Sequence, residues 1–315
     1  MRALTIVDGS LELRDRPTPE PGPLDVLVEV RAAGINAADL MQRGGFYPAP
    51  PGWPADIPGM ELSGVVVAVG DRVVEPLMAR RVCAIVGGGA QATHCALPSE
   101  HLIFVPDDVT FDEAGGFSEA FITAYDALVT QGGLAAGERV LISGAAGGVG
   151  AAGVQIARVL GAEVVAVTRT DEHHERLRGL GAHETITLEE VGSLAGIDVV
   201  LELLGAAHLN LAQRVLNPFA RVVVIGVGAG RTAELDLLSM MTKRARITGS
   251  TLRSRSREEK AEVVRGVSNA LVPRWTLHEL EVPLAKVFPI EHADEAYEYF
   301  AAPGKFGKVV LRVGA

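Results

Sequence analysis

Apolar and polar positions divide this chain into two textures. Up to about residue 110, short apolar runs alternate with polar residues, as half-buried strands do. The first is Met1 to Asp8, followed by Val26 to Ala32, and by Leu62 to Val69, which stops at Gly70-Asp71. Arg81 to Val86 runs into the turn Gly87-Gly88-Gly89, which predicts Ala92 to Leu97 as its hairpin mate. Proline-rich loops separate these runs, and together they predict a small β-barrel. From Phe111 strands and helices alternate. Asp112 to Ala114 begins a helical stretch and Glu119 to Val129 forms the next helix. Strands follow at Val140 to Ile142, Glu163 to Val167, Asp198 to Glu202, Arg221 to Gly226 and Arg246 to Ser250, with helical patterns such as Val154 to Leu160, Ala207 to Leu216 and Ser256 to Asn269 among them. This alternation predicts a largely parallel sheet covered on both faces, and an α/β fold class. After Pro273 come Lys286 to Pro289, a helix over Ala293 to Phe300, and a strand over Gly307 to Val313. The pattern leaves open whether this tail extends the parallel sheet or returns to the β region.

The strand at Val140 ends in Ser143-Gly144-Ala145-Ala146-Gly147-Gly148-Val149-Gly150 before the helical pattern begins. A strand, tight turn and helix entry of this kind hold a dinucleotide pyrophosphate. Residues without bulk let the backbone approach phosphate, and free amides at the helix N-terminus donate to it. The first glycine of the strict G-x-G-x-x-G fingerprint is replaced by Ala145. The second strand at Glu163 completes a βαβ unit and restores the assignment.

The residues just beyond that second strand select the dinucleotide. NAD sites usually carry an acid about 20 residues beyond the glycines. Here the position reads Thr168-Arg169-Thr170, with no carboxylate until Asp171. Arg169 suits a ribose phosphate, Thr168 and Thr170 add hydroxyls, and His173 comes one turn later. The expected cofactor is therefore NADPH; the alternative is that Arg169 merely begins a solvated loop.

Length and charge narrow the class further. The 315 residues suffice for two domains, and 48% hydrophobic with 22% charged residues is a globular composition. A net charge of −10 argues against nonspecific binding to nucleic acid or to anionic membranes. No apolar run approaches a membrane span, and the N-terminus carries no leader pattern, so cytoplasm is the expected location. Cys83 and Cys95 are too few for a disulfide framework or a four-thiolate zinc lobe and are expected to be inert thiols. The charge run from Arg253 to Lys260 reads as a solvated loop and helix face, and Asp39 with Arg43 as a local ion pair.

Several segments together resemble the medium-chain dehydrogenase/reductase superfamily, and most closely its zinc-free NADPH quinone oxidoreductases of the zeta-crystallin type. They are Ala33-Gly34-Ile35-Asn36 with Asp39, Arg43, Gly45 and Tyr47-Pro48; Pro58-Gly59-Met60-Glu61 with Gly64; Thr123-Ala124-Tyr125; the glycine turn; Thr248 to Arg253 through Lys260; and Phe306-Gly307-Lys308. The resemblance implies a GroES-like catalytic domain over residues 1–118, a Rossmann cofactor domain over 119–278, and a segment 279–315 returning to the catalytic domain, with the active site in the cleft between them. Where zinc-using relatives carry Cys, His-Glu and Cys, the matching positions are Asn36, Met60-Glu61 and Glu119, which are not a credible zinc set, so no metal is expected.

Metal-free chemistry of this kind holds the nicotinamide against an electron-poor acceptor. The resemblance assigns Asn36 to orienting a carbonyl or cofactor group and Tyr47 to proton donation or ring stacking, with loop bracing and packing as their structural alternatives. Thr123 resembles the helix residue on the nicotinamide side. Ile225-Gly226-Val227 and Ser250-Thr251-Leu252 follow later strands and are expected to frame the nicotinamide. The expected activity is NADPH-dependent reduction of a quinone. Reduction of an activated carbon-carbon double bond and a cofactor-binding scaffold without turnover are the alternatives. Relatives extend the cofactor sheet across subunits, so a homodimer using Arg246 to Ser250 is expected. Many relatives have Gly-Asp where this chain has Ala79-Arg80, and an aromatic near Ala90-Gln91-Ala92, departures that bear on substrate rather than fold.

Overall fold

The computed structural model describes residues 1–194 and 196–314. They form two compact units, Met1–Ile122 with the segment from Leu252 onward, and Thr123–Thr251. In chain order the first unit contains β1 (Arg2–Val7), β2 (Ser10–Asp15), β3 (Asp25–Ile35), α1 (Ala37–Arg43), β4 (Glu61–Val69), β5 (Arg81–Ile85), β6 (His94–Pro98), β7 (Leu102–Phe104) and α2 (Phe111–Ala114). Helix α3 (Ser118–Tyr125) widens into a π-type turn over Asp126–Gln131. Next come β8 (Arg139–Ile142), α4 (Gly148–Val159), β9 (Glu163–Thr168), α5 (His174–Leu180), β10 (Glu184–Thr187) and β11 (Ile197–Glu202). The second unit ends with α6 (Ala206–Ala212), β12 (Leu216–Val224), α7 (Leu237–Lys243) and β13 (Arg246–Gly249). The chain then re-enters the first unit through α8 (Arg257–Ala270), α9 (Val272–Thr276), β14 (Leu284–Pro289), α10 (Ala293–Ala301) and β15 (Lys308–Arg312). Among the described residues no helix is long and apolar enough to cross a membrane.

In the first unit the sheet order is β14-β15-β3-β4-β5-β7, with β6 also on β3. Strand β3 alternates as predicted, burying Val26, Val28 and Val30 against Leu62, Val82 and Leu97. One edge of β3 is shared, with β6 along Asp25 to Glu29 and β15 along Ala32 to Ile35, while β4 takes the other. Register shifts between Leu27 and Val28 and between Val30 and Ala32 bend the strand, which lets it serve three partners. The pairing of β15 with β3 answers the question the sequence left open, because the tail returns to the β unit.

The segment 252–278, expected with the cofactor domain, packs in the first unit instead. Helix α8 lies against β7, and Trp275 of α9 stacks on Phe117 with ring centroids 4.0 Å apart. The sequence shows an amphipathic helix here, but not which core receives its apolar face.

The second unit holds the parallel sheet β10-β9-β8-β11-β12-β13. The chain steps outward from β8 to β10 on one side and from β11 to β13 on the other, so direction reverses between β8 and β11, where ligands of doubly wound folds bind. Val140, Leu141 and Ile142, Val164 to Val167 and Val199 to Leu201 are all fully buried, as central strands covered on both faces require. Two boundaries differ from expectation. The helix starting at Ala206 stops at Ala212, and β12 begins at Leu216 rather than Arg221. Leu216 already pairs with Ile197, but Pro218 offers no amide and Phe219 has φ 65°, so an irregularity separates this pair from the regular register at Val199.

Candidate active site

The dinucleotide turn is built at the switch point of the second unit. Gly144 leaves β8 at φ 60°, a conformation that favours glycine, and Ala145 N bonds to Val167 O at 3.0 Å, tying the turn to β9. Gly147 caps α4 in an extended conformation. A Cβ on Gly150 would come within 2.6 Å of Ala145 Cα, so the third glycine is needed for helix and turn to touch. A Cβ on Gly147 would meet only Gly144 O, at 3.4 Å, so the face of the turn is open. The first amides of α4 have no carbonyl one turn back to bond, and they suit an anion. The residues therefore fit a pyrophosphate.

At the end of β9 the buried Thr168 does not present its hydroxyl outward. It donates to Thr170 O at 2.7 Å and lies 3.0 Å from His174 Nε2, which fixes the bend. His174 makes this contact, and His173, expected near the ribose phosphate, directly precedes it and is half-buried. Arg169 and Thr170 are exposed, and Arg169 makes no ion pair among the described residues. Ile225 and Gly226 are half-buried and Val227 is 51% exposed. Ser250 bonds through its amide to Val224 O at 3.0 Å and through Oγ to Asp126 Oδ2 at 3.0 Å, and Thr251 is exposed. Thr123 is buried, and its Oγ1 finds no hydrogen-bond partner among the described residues. Leu252 is buried and is the first residue of the segment that returns to the first unit.

The second chemical cluster lies wholly in the first unit and is organised by an ion pair. Lys308 Nζ sits 2.6 Å from Glu61 Oε1, with side-chain exposures of 5% and 0%. Asn36 joins the two, because Nδ2 donates to Glu61 Oε1 at 2.9 Å and Oδ1 accepts from Lys308 at 2.6 Å. Glu61 Oε2 accepts from the Glu119 amide at 2.8 Å, at the start of α3. Asn36 also begins α1, where its own amide donates to Asp39 Oδ2 at 2.7 Å. Asp39 Oδ1 accepts from Gly59 N at 2.9 Å. The expected Asp39 pair with Arg43 does not form. Asp39 faces inward to backbone amides, while Arg43 donates to Gly9 O and lies 3.8 Å from Asp294.

Tyr47 is held by a residue that the sequence reading assigned to solvent. Arg253 is only 6% exposed; its NH1 donates to Tyr47 O at 3.0 Å, its Nε to Gly87 O at 3.0 Å, and its NH2 to Gln42 Oε1 at 2.5 Å. Its guanidinium lies 4.8 Å from the centre of the Tyr47 ring. Lys260 is buried too and donates to Arg253 O at 2.9 Å. The charge run therefore breaks into two inward cations and outward neighbours, because α8 turns Lys260 toward the unit and the preceding loop carries Arg253 under Tyr47. Burial lowers the pKa of both, and the negative charge of Asp39 opposes that effect at Arg253.

Burial also sets the carboxyl groups. Desolvation pushes Asp39 up to about 6, against its two amide bonds and the charges of Lys308 and Arg253. Glu119 keeps some contact with solvent, yet desolvation and then the charge of Glu61 push its carboxyl up to about 8. Lys308 is already engaged by Glu61, and among the described residues Glu119 forms no ion pair. At neutral pH it is a proton-bearing acid. Cys83 and Cys95 are free and buried, which pushes both thiols up to about 12, as inert cysteines require. Among the described residues no three His, Cys, Asp or Glu side chains are grouped as a metal would need.

A doubly wound sheet with an open glycine turn, on one chain with a β unit carrying a buried acid-base cluster, is the construction of dinucleotide-dependent oxidoreductases. Residues 22–133 match the alcohol dehydrogenase GroES-like domain, and residues 148–269 match the zinc-binding dehydrogenase family. Quinone oxidoreductase of Homo sapiens is 32% identical, over 96% of this chain and 93% of its own. Synaptic vesicle membrane protein VAT-1 homolog of Homo sapiens is 30% identical, over 96% of this chain and 83% of its own. The quinone oxidoreductase from Thermus thermophilus, whose structures include a complex with NADPH, superposes with a TM-score of 0.87 at 33% identity, covering 99% of this chain and 100% of that one. The chain belongs to the medium-chain dehydrogenase/reductase superfamily, in its quinone-oxidoreductase-like branch.

The raised carboxyl of Glu119 has a consequence for stability. Its folded pKa lies above the ordinary 4.5, so its contribution is full below that value and is lost as pH rises through about 8. Glu119→Gln removes this loss. Thermal unfolding midpoints of the two proteins should coincide near pH 4.5 and separate in favour of Glu119→Gln up to about pH 8. A pH-independent difference would show that Glu119 titrates normally.

Proposed function

We propose that this protein reduces quinones by two electrons, using NADPH and no metal. The observation that carries the reading is the open glycine turn at α4, with exposed Arg169 at the end of the adjacent strand β9. The names of the relatives support a quinone as acceptor. When bound, NADPH would supply the hydride. The amides of Gly148, Val149 and Gly150, with the turn Ala145-Ala146-Gly147, would hold the pyrophosphate, and Arg169 and Thr170 the ribose phosphate. Thr123, Ile225, Gly226, Val227, Ser250 and Thr251 would frame the nicotinamide half.

Reduction of a quinone to a hydroquinone takes one proton for each hydride. Tyr47 is the proposed donor to the oxygen that gains charge, clamped by Arg253 through its carbonyl and its ring. Asn36 has one Nδ2 hydrogen left after Glu61 takes the other, and this hydrogen would align the acceptor. Glu119, neutral at pH 7, is a second acid in the same unit. It favours the alternative acceptor, an activated alkene, whose carbon needs a positioned proton more than a quinone oxygen does.

We also propose a homodimer joined along β13. β12 occupies one edge of β13, and in the preceding α7 Leu237, Leu238 and Met241 are 69%, 69% and 73% exposed.

Three measurements check these readings. NADPH should bind more tightly than NADH, and Arg169→Ala should weaken NADPH selectively, by about 10-fold if one charge-assisted bond is lost. Equal affinities before and after substitution would remove Arg169 from cofactor selection. For the chemistry, single-turnover rates with matched quinones and enones are compared for the original protein and Tyr47→Phe. The proposal expects faster quinone reduction and a loss of roughly 10- to 100-fold on removing the hydroxyl, with NADPH affinity kept. Enones reduced far more efficiently would make the alkene reading correct, and NADPH binding without any turnover would make the protein a scaffold. Sedimentation across the assay concentrations should give twice the mass of the chain; a persistent monomer sinks the dimer.

A further inference from the structure

Glu202, the last residue of β11, is completely buried and binds the strand ends around the dinucleotide turn to one another. Its Oε1 accepts from Ser143 Oγ at 2.9 Å and from the amides of Leu204 and Gly205 at 2.8 and 2.9 Å. Its Oε2 accepts from His208 Nδ1 in α6. Ser143 directly precedes Gly144, and its Oγ accepts from Leu203 N at 2.6 Å. The carbonyl of Glu202 accepts from Ile225 N at 2.8 Å and Gly226 N at 3.1 Å. One residue thus reaches the ends of β8, β11 and β12.

The turn it holds then holds the next loop. Leu204 O accepts from Ala229 N at 2.6 Å, and Gly230 O from Ala206 N at 2.8 Å. The fit has no slack: a Cβ on Gly226 would overlap the Leu203 carbonyl oxygen, and one on Gly205 the Gly230 carbonyl oxygen. Residues 225–230 therefore follow wherever residues 203–205 are set.

What fixes residues 203–205 is a buried charge. Burial alone would raise the Glu202 carboxyl, but the hydrogen bond and charge of His208, followed by the Gly205 and Leu204 amides, outweigh it and hold the carboxyl below its ordinary range. A carboxylate only accepts, so Nδ1 of His208 carries the proton. His208 is fully buried, and its Nε2 has no hydrogen-bond partner among the described residues. The ring's one satisfied polar atom is thus the one on Glu202.

We infer that His208 is a positioning residue for the dinucleotide: by holding Glu202 it sets the loop Ile225 to Gly230, against which the nicotinamide half would lie. The inference rests on the reading that the glycine turn binds NADPH. His208→Phe keeps a ring of similar size and removes the donor, whereas His208→Asn keeps a donor near the place of Nδ1. Each protein is titrated with NADPH and with 2′,5′-ADP, which carries the adenine-side phosphates but no nicotinamide. His208→Phe should weaken NADPH on the order of 10-fold while leaving 2′,5′-ADP within about 2-fold, and His208→Asn should restore most of the loss. Ser143→Ala removes one bond to Glu202 without stranding a charge, and should move affinity in the same direction if His208→Phe does not fold. NADPH affinity unchanged in whichever of these two variants folds overturns the inference, and so does an equal loss for both ligands. If the unaltered protein binds neither ligand, the dinucleotide reading itself fails and takes this inference with it.

Discussion

Lys308 and Glu61 meet out of reach of water, and the first unit is arranged around that meeting. Two charges buried together are held by mutual attraction only if hydrogen bonds satisfy what remains of each. Asn36 supplies bonds to both partners, and the Glu119 amide supplies one to the carboxylate. In satisfying the pair, Asn36 is fixed as the start of α1 and Glu119 as part of the first turn of α3. Removing one partner of such a pair typically costs about 3–5 kcal/mol, because the other charge stays buried alone. The pair also joins β15 to β4 across β3, so the electrostatic centre of the site and a seam of the sheet coincide.

A second consequence concerns the remaining acids. Lys308 is committed to Glu61, while Arg253 is spread over two carbonyls and an amide oxygen rather than bonded to a carboxylate. Asp39 and Glu119 therefore sit near positive charge without direct ion pairs among the described residues, and burial dominates both. Their affinities for protons are spaced, at about 6 and about 8, on either side of neutrality. Charge is fixed at one place in the unit and left titratable at two others.

The parts of this architecture that rest on local pattern were legible in the sequence. Gly144 to Gly150 announced the dinucleotide turn because backbone approach to phosphate excludes bulk, and Val26 to Ala32 announced a strand because burial alternates along it. The parts that rest on long-range pairing were not. Arg253 and Lys260 lie in a run of charges, and charges default to the surface; only the fold shows which of them turn beneath Tyr47. Asp39 lies four residues from Arg43, a spacing that suggests a helical ion pair, but the start of α1 needed its carboxylate for backbone amides. Glu202 and His208 belong to a strand and the helix after it, and nothing in their spacing marks a buried pair. At Ala79, where relatives were expected to have glycine, the backbone has φ 59°, a left-handed conformation that strains a residue with a Cβ.

The order of pairing in the first sheet has a consequence for synthesis. Strand β3 shares one edge with β6 and β15, and residues 308–312 leave the ribosome only after all of residues 123–251 have done so. The dinucleotide unit is contiguous in sequence, and the loops that join its strands are short enough to close early. The β unit has no such freedom. Part of the edge of its longest strand, Ala32 to Ile35, stays without its native neighbour while the intervening unit is made, and an unpaired edge is where a nascent chain is most open to wrong partners.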